Sequence, residues 1–341
     1  MGVTFQSIPL NRTAINPMVD LYALFFLYRL MLKHRPDIVL AYTIKPVIYG
    51  SLAARFAGVK NGYSMITGLG STFTGKSWTG RLIHELVCRL YRFALKKNKA
   101  VFFQNPDDRD AFLKLNLIAK DTQPVLINGS GIDLNHYRAA PVVKEPMVFL
   151  LIARLISEKG IGEYVEAAKQ LKRRTNIHCR LVGKFDSNPS AISRTKIMEW
   201  HDQGIIEYLG SAEDVRPLIA QASVYVLPSY YREGTPRTVL EAMAMGRPVI
   251  TTDAPGCRET IRPTDATGWK KIENAPQLQM GRNGILVPPK DVSSLVAAME
   301  FFLKHPEEID RMGHESRVYA EERYDVHKVN AVILRTMRLI S

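Results

Sequence analysis

Two glutamates with seven residues between them, Glu233 and Glu241, carry the strongest chemical signal in this 341-residue sequence. They flank Gly234-Thr235-Pro236-Arg237, and the apolar run Ser223–Leu227 precedes them. Thr235 suits the N-cap of a helix and Pro236 its first helical position. The amides of Gly234 to Arg237 then meet at the positive end of that helix, a setting for hydroxyl or phosphate oxygens. Glu233 falls in the loop before the helix, and Glu241 about five residues along it, roughly 7 Å deeper at ~1.5 Å per residue. Two carboxylates so spaced can accept from two pairs of hydroxyls, one on a hexose and one on a ribose, which is the span of a sugar nucleotide. Alone, each glutamate has a plainer reading: a solvated helix face for Glu241, compensation of the helix dipole for Glu233.

Cations are placed to meet such a ligand. Arg154 and Lys159 flank the turn Leu155-Ile156-Ser157-Glu158 after the apolar run Met147–Ile152, and Gly160 opens the next helix. Both sit where a diphosphate would pass beyond a strand's carboxyl end; the alternative is a loop arginine paired with Glu158. Gly183 and Gly210 end two further strand-like runs, marking either donor-side loops or simple turns. In the first half, Lys45 follows Ile38–Tyr42, and Gly68-Leu69-Gly70-Ser71 follows Gly62–Ile66. Lys45 is a candidate for an acceptor phosphate, Gly68 and Gly70 for the same cleft, and Arg12 either for that cleft or for a surface loop.

The elements that must position these residues alternate between strand and helix, the mark of parallel α/β sheets. In the first half, strands are expected at Val3–Ile8, Ile38–Tyr42, Gly62–Ile66, Ala100–Phe103 and Val125–Ile127, with helices over Val19–Lys33, Ile48–Ala57, Thr79–Lys97 and Pro106–Leu113. After the turn-rich Asn128-Gly129-Ser130-Gly131 the alternation restarts, with strands at 147–152, 178–182, 206–209, 223–227 and 248–251 and helices between them. Further helices, including Val292–Lys304, run to the C-terminus. The expected domains are 1–138 and 139–341, with the last helix returning to the first. Ligands of doubly wound domains lie beyond the carboxyl ends of the strands, at a topological switch point.

The residues above resemble family 4 of the glycosyltransferases, the retaining enzymes of GT-B fold, through Arg154 with Lys159, Glu233-Gly234-Thr235-Pro236, and Glu241-Ala242-Met243-Ala244-Met245-Gly246-Arg247-Pro248-Val249. The spaced glutamate pair is that family's signature. A finer similarity, to bacterial enzymes that extend undecaprenyl-diphosphate-linked sugars, rests on Asn188-Pro189-Ser190 and on Tyr42-Thr43-Ile44-Lys45-Pro46 with Tyr49-Gly50. The resemblance implies two Rossmann-like α/β domains facing a cleft. It implies Arg154 and Lys159 on the donor diphosphate as it leaves, Glu241 on the donor ribose, and Glu233 with the amides of Gly234 and Thr235 on the transferred hexose. It further implies retention, a UDP-sugar donor, a polyprenyl-diphosphate-linked acceptor in surface glycan synthesis, and no metal, since the cations and helix end neutralise the diphosphate. Two alternatives stand beside it: a GT-B sugar-nucleotide epimerase or hydrolase, which would share the donor pocket but needs a base that the sequence does not supply, and an inactive membrane-surface binding fragment, which rests on charge and the early break. Against the family the chain starts late, short by two strands and their helices, roughly 60 residues. The first domain is therefore expected to be incomplete, and the chain alone to fold poorly or to be inactive.

Composition bounds the remaining choices. Apolar residues make up 46% and charged ones 23%, ordinary for globular domains. The net charge of +13 calls for an anionic partner. The basic residues are dispersed, with short runs such as Lys172-Arg173-Arg174 ending helical patterns, which argues against nucleic acid. Three scattered cysteines, Cys88, Cys179 and Cys257, imply neither a disulfide framework nor a zinc site, and a reducing cytoplasm fits. Leu21–Leu32 is too short for the ~20 residues that cross a bilayer. With the basic patches, the helix over Val19–Leu32 either seats the protein on the inner face of an anionic membrane or packs as an ordinary core helix.

Overall fold

The computed structural model describes residues 3–10, 16–70, 78–266, 268–272 and 275–340. The chain divides into two compact units, Met1–Ile127 with Ala331–Ser341, and Asn128–Asn330, so the division falls before the expected one after residue 138.

The first unit holds four parallel strands in the order β1 (Ile38–Tyr42), β2 (Asn61–Ile66), β3 (Asn98–Phe103) and β4 (Gln123–Leu126). Helices α1 (Pro17–His34), α2 (Ile44–Phe56), α3 (Trp78–Ala94) and α4 (Pro106–Lys114) accompany them. Asn16 caps α1, its side chain accepting from the Met18 amide at 3.1 Å. Asn105 caps α4 in the same way, at 2.8 Å from the Asp108 amide. Val101 and Phe103 of β3 pack with Tyr91 and Phe112, whose rings meet edge to face with centroids 5.0 Å apart. The apolar run of β3 is thus buried, as a strand inside a parallel sheet must be. Residues 3–10 form no strand, although one was expected at Val3–Ile8; Val3 and Phe5 are each 89% exposed. Alternating apolar residues make a strand only where a neighbouring strand completes the ladder.

The second unit is built on an eight-stranded sheet. Its strands are β5 (Val148–Ile152), β6 (His178–Val182), β7 (Glu207–Tyr208), β8 (Val224–Leu227), β9 (Val249–Thr252), β10 (Lys270–Ile272), β11 (Ala275–Met280) and β12 (Gly284–Val287). Their order is β10-β11-β12-β9-β8-β5-β6-β7. Strands β12 to β7 run parallel, while β10, β11 and β12 pair antiparallel, an extension the sequence reading did not anticipate. Helices α5 (Ile161–Lys172), α6 (Arg194–Asp202), α7 (Arg216–Ala220), α8 (Arg237–Ala244), α9 (Val292–Lys304) and α10 (Glu307–Arg323) accompany the sheet, and α11 (Val326–Thr336) spans the division between the units. Both faces of the sheet are covered: Phe149 and Leu151 of β5 enter one core, Leu150 and Ile152 the other. Arg247, fully buried after α8, donates to the carbonyls of Ala222 and Pro141 at 2.9 Å each, and burial lowers its pKa to about 10.

Strand order decides where a ligand can go. From β5 the chain moves outward through β6 and β7, then returns to build β8 and β9 on the other side. The switch point lies between β5 and β8, so the loops after these two strands open into one crevice. Arg154 and Lys159 sit on the first loop, Glu233 on the second.

Candidate functional site

The two loops are stitched together. The Glu158 carbonyl accepts from the amides of Tyr230 and Tyr231 at 2.9 and 3.1 Å. Gly160 makes this possible: its φ is +75°, and a Cβ there would lie 2.1 Å from the Pro228 carbonyl oxygen. Lys159 forms an ion pair with Glu233 Oε1, which also accepts from Ser229 Oγ at 3.1 Å. Both partners of the pair are largely buried, with side chains 12% exposed. The Tyr231 ring lies beneath both cations, 5.8 Å from the Arg154 guanidinium and 5.6 Å from the Lys159 ammonium. Arg154 itself pairs with Asp186 at 3.1 Å, and not with Glu158 as the alternative reading had it.

Helix α8 begins at Arg237, one residue later than expected, with Pro236 rather than Thr235 at the N-cap. Proline serves there because the cap needs only its carbonyl, which accepts from Val239 at 3.1 Å and Leu240 at 3.3 Å. Thr235 is buried against the Gly129 turn, where a Cβ would come within 3.0 Å of the threonine Cβ. Glu241 is 6% exposed, which excludes a solvated helix face. Its Oε1 accepts from the Tyr137 hydroxyl at 3.0 Å and from Arg237 Nε at 3.1 Å. Burial, with the charge of Glu241 beside it, raises the Tyr137 pKa above its ordinary value, so the hydroxyl keeps its proton and donates.

Beyond the carboxyl ends of β5 and β6, next to the first turn of α8, is a cavity of about 460 Å³ lined by Arg154, Gly183, Lys184, Ser211, Glu213 and Thr238, among others. That volume suits a small-molecule ligand. Gly183 must be glycine, since a Cβ would lie 1.9 Å from the Ala153 carbonyl oxygen. Its amide donates to the carbonyl of Gly210, which sits at φ +76°. Under the Glu233-Gly234 backbone lies Gly256, whose Cβ would meet the Gly234 carbonyl oxygen at 2.4 Å.

The structure therefore brings Arg154, Lys159, Glu233, Gly234, Thr235, Pro236, Arg237, Glu241, Gly183 and Gly210 to one end of one sheet. In the first unit, Lys45 is held by buried Asp20 at 2.7 Å. Asp20 also bonds the Tyr49 hydroxyl, and burial together with that carboxylate pushes the Tyr49 pKa up to about 12. Gly68 and Gly70 take φ of 103° and 58°, while Arg12 lies outside the described residues. Sequence reasoning missed Tyr137, Asp186, Tyr231 and Gly256. Of these, Asp186 was the most accessible, since it opens the Asp186-Ser187-Asn188-Pro189-Ser190 stretch whose last three residues were singled out.

Residues 146–305 match the family model for glycosyl transferases group 1, and residues 2–105 that for glycosyl transferase 4-like domains. Over 282 residues the chain is 30% identical to N,N'-diacetylbacillosaminyl-diphospho-undecaprenol alpha-1,3-N-acetylgalactosaminyltransferase of Campylobacter jejuni, covering 79% of this chain and 72% of that protein. The chain belongs to the family 4 glycosyltransferases. This glycosyltransferase is also 26% identical over 258 residues to the UDP-Gal:alpha-D-GlcNAc-diphosphoundecaprenol alpha-1,3-galactosyltransferase of Escherichia coli, covering 71% of this chain and 64% of that one. Among solved structures it resembles sucrose-phosphate synthase from Thermosynechococcus elongatus, with a TM-score of 0.76 at 20% identity over 94% of this chain and 78% of the other. It likewise resembles the Anabaena protein HepE in complex with UDP-glucose, with a TM-score of 0.74 at 19% identity over 95% and 84% of the two chains. The glycosyltransferase has the GT-B fold that the sequence led us to expect.

Proposed function

We propose that this glycosyltransferase moves a hexose or N-acetylhexosamine, with retention, from a UDP-sugar to a saccharide carried on a polyprenyl diphosphate. The observation that carries the reading is the meeting of Lys159 with Glu233 across the β5 and β8 loops, with Arg154 beside them and Glu241 on the following helix. A donor diphosphate draws Lys159 away from Glu233, and the carboxylate then accepts from the hydroxyls of the hexose. Two hydrogen bonds fix Oε1 of Glu241, and in this reading the carboxylate so held accepts from the ribose hydroxyls. Arg154 and Lys159 stabilise the departing diphosphate, work that needs no metal when two cations and the first amides of α8 share it. In this reading the second domain takes the donor and the first, near Lys45, Gly68 and Gly70, the acceptor.

The acceptor places the work at a membrane surface. No helix among the described residues is long and apolar enough to cross a membrane. Helix α1 instead exposes Leu21, Tyr22 and Phe25, with Arg29 and Lys33 on the same helix, a combination suited to anionic headgroups on the cytoplasmic face. The relatives named above support the acceptor class and the UDP-linked donor by their own activities. The test is incubation of the full-length protein with a panel of UDP-sugars and a polyprenyl-diphosphate saccharide, with chelator present. Release of UDP and an α-linked product by NMR are expected; a β-linked product or a strict metal requirement contradicts the proposal.

A further inference from the structure

Arg154 is held by a turn that runs from Asp186 to Ser190. The Asp186 carboxylate divides its two oxygens: Oδ2 accepts from Arg154 Nη1 at 3.1 Å, and Oδ1 accepts from the Asn188 amide at 2.9 Å. Asn188 Oδ1 in turn accepts from the Ser190 amide at 3.0 Å and the Ser190 hydroxyl at 2.9 Å. The Ser190 carbonyl then accepts from the Ser157 amide and hydroxyl at 2.9 and 3.1 Å, on the loop between Arg154 and Lys159. That loop is fastened twice more, Leu155 donating to the Lys184 carbonyl at 3.3 Å and accepting from the Ile192 amide at 2.9 Å. Phe185 seats the start of the turn, its ring edge-on to Tyr208 with centroids 5.6 Å apart and under the Arg194 guanidinium.

We infer that Asp186 is a positioning residue for the donor: it presents the Arg154 guanidinium to the diphosphate, and the turn to Ser190 locks the loop that carries both cations. The inference rests on the proposed donor site. A side chain turn-maker would need only Oδ1; the second oxygen spent on Arg154 is what a support for that cation requires. A guanidinium has five N–H donors. Asp186 takes one of them, and holding the guanidinium beforehand lowers the ordering cost of binding a diphosphate. A free aspartate near an anion site would otherwise repel the ligand, so the two roles have opposite signs.

The experiment is calorimetric titration of the intact protein with UDP and, separately, with inorganic pyrophosphate. Wild type, Asp186→Asn, Arg154→Ala and the double variant are compared. Asp186→Asn keeps the shape and the Asn188 bond, and its dissociation constants for both probes are expected to rise about tenfold, the scale on which outer-shell supports act. In the Arg154→Ala background the same change is expected to have no further effect, which a merely structural aspartate would not reproduce. Partial unfolding would lower the stoichiometry and leave the dissociation constant, so the two are separable. Unchanged or tighter binding by Asp186→Asn, or an additive loss in the double variant, overturns the inference while leaving the donor site standing. Failure of the wild type to bind either probe, or wild-type affinity in Arg154→Ala, overturns the donor site and this inference with it.

Discussion

Gly160 and Gly204 share a backbone conformation and differ in surroundings, which makes alanine at the two positions a controlled comparison. Their φ values are +75° and +67°, so each alanine meets the same left-handed penalty, about 1–2 kcal/mol. At Gly204 a Cβ finds nothing within 4 Å, whereas at Gly160 it lies 2.1 Å from the Pro228 carbonyl oxygen and 2.6 Å from its carbon. Reaching a 3.0 Å contact requires the β5 loop to retreat by 3.0 − 2.1 = 0.9 Å, and Lys159 is the neighbouring residue. A misplacement of about 1 Å costs on the order of 10²-fold in turnover. Gly160→Ala is therefore expected to lose about two orders of magnitude in donor turnover, and Gly204→Ala essentially none, with both melting lower than wild type. The assay is UDP release from the UDP-sugar that turns over, alongside a thermal melt. Equal turnover by the two variants would refute the claim that contact with Pro228 sets the position of Lys159.

Two further outcomes follow from the same geometry. Tyr137→Phe removes one of the two donors to Glu241 Oε1 and should lower stability by about 1.5–3 kcal/mol, the value of a hydrogen bond to a charged group, read by chemical denaturation; wild-type stability would mean that the hydroxyl does not hold Glu241. Asp291 caps α9, and hydrogen bonds from Ser293 and Ser294 keep its carboxyl below the ordinary 3.8. A lowered carboxyl stabilises the fold above its unfolded value and loses that contribution as pH falls through the folded one. Asp291→Asn should thus flatten the stability profile below pH of about 4, and an unchanged acid limb in denaturation curves would contradict the assignment.

What the sequence revealed follows from where the signal is local. Strands β1 and β6 and helix α9 lie where the sequence placed them, because Pro36-Asp37, Gly183 and Asp291 bound their apolar runs. The segment Val3–Ile8 has the same alternation, yet its state depends on a partner strand, which a local pattern does not specify. Strands β10 and β11 escaped notice because Lys270–Ile272 is only three residues long and β11 carries Pro276, a residue that argues against an inner strand, although β11 lies between β10 and β12. In the site, Arg154, Lys159, Glu233 and Glu241 stand out by type and spacing. Asp186 and Tyr137 do not, since each reaches its partner from far along the chain, 32 residues away in one case and 104 in the other. Thr235 was misplaced because capping statistics favour threonine, while here burial against Gly129 takes it and the Pro236 carbonyl suffices for the helix.

The donor site is the centre of the account, and its most direct test is turnover of a UDP-sugar on a polyprenyl-diphosphate saccharide by the full-length protein and its Arg154→Ala, Lys159→Ala and Glu241→Ala variants. Each variant removes one preorganised contact and is expected to fall by about 10²–10³-fold in kcat/KM while remaining folded. Wild-type turnover by any folded Arg154 or Glu241 variant would contradict the site.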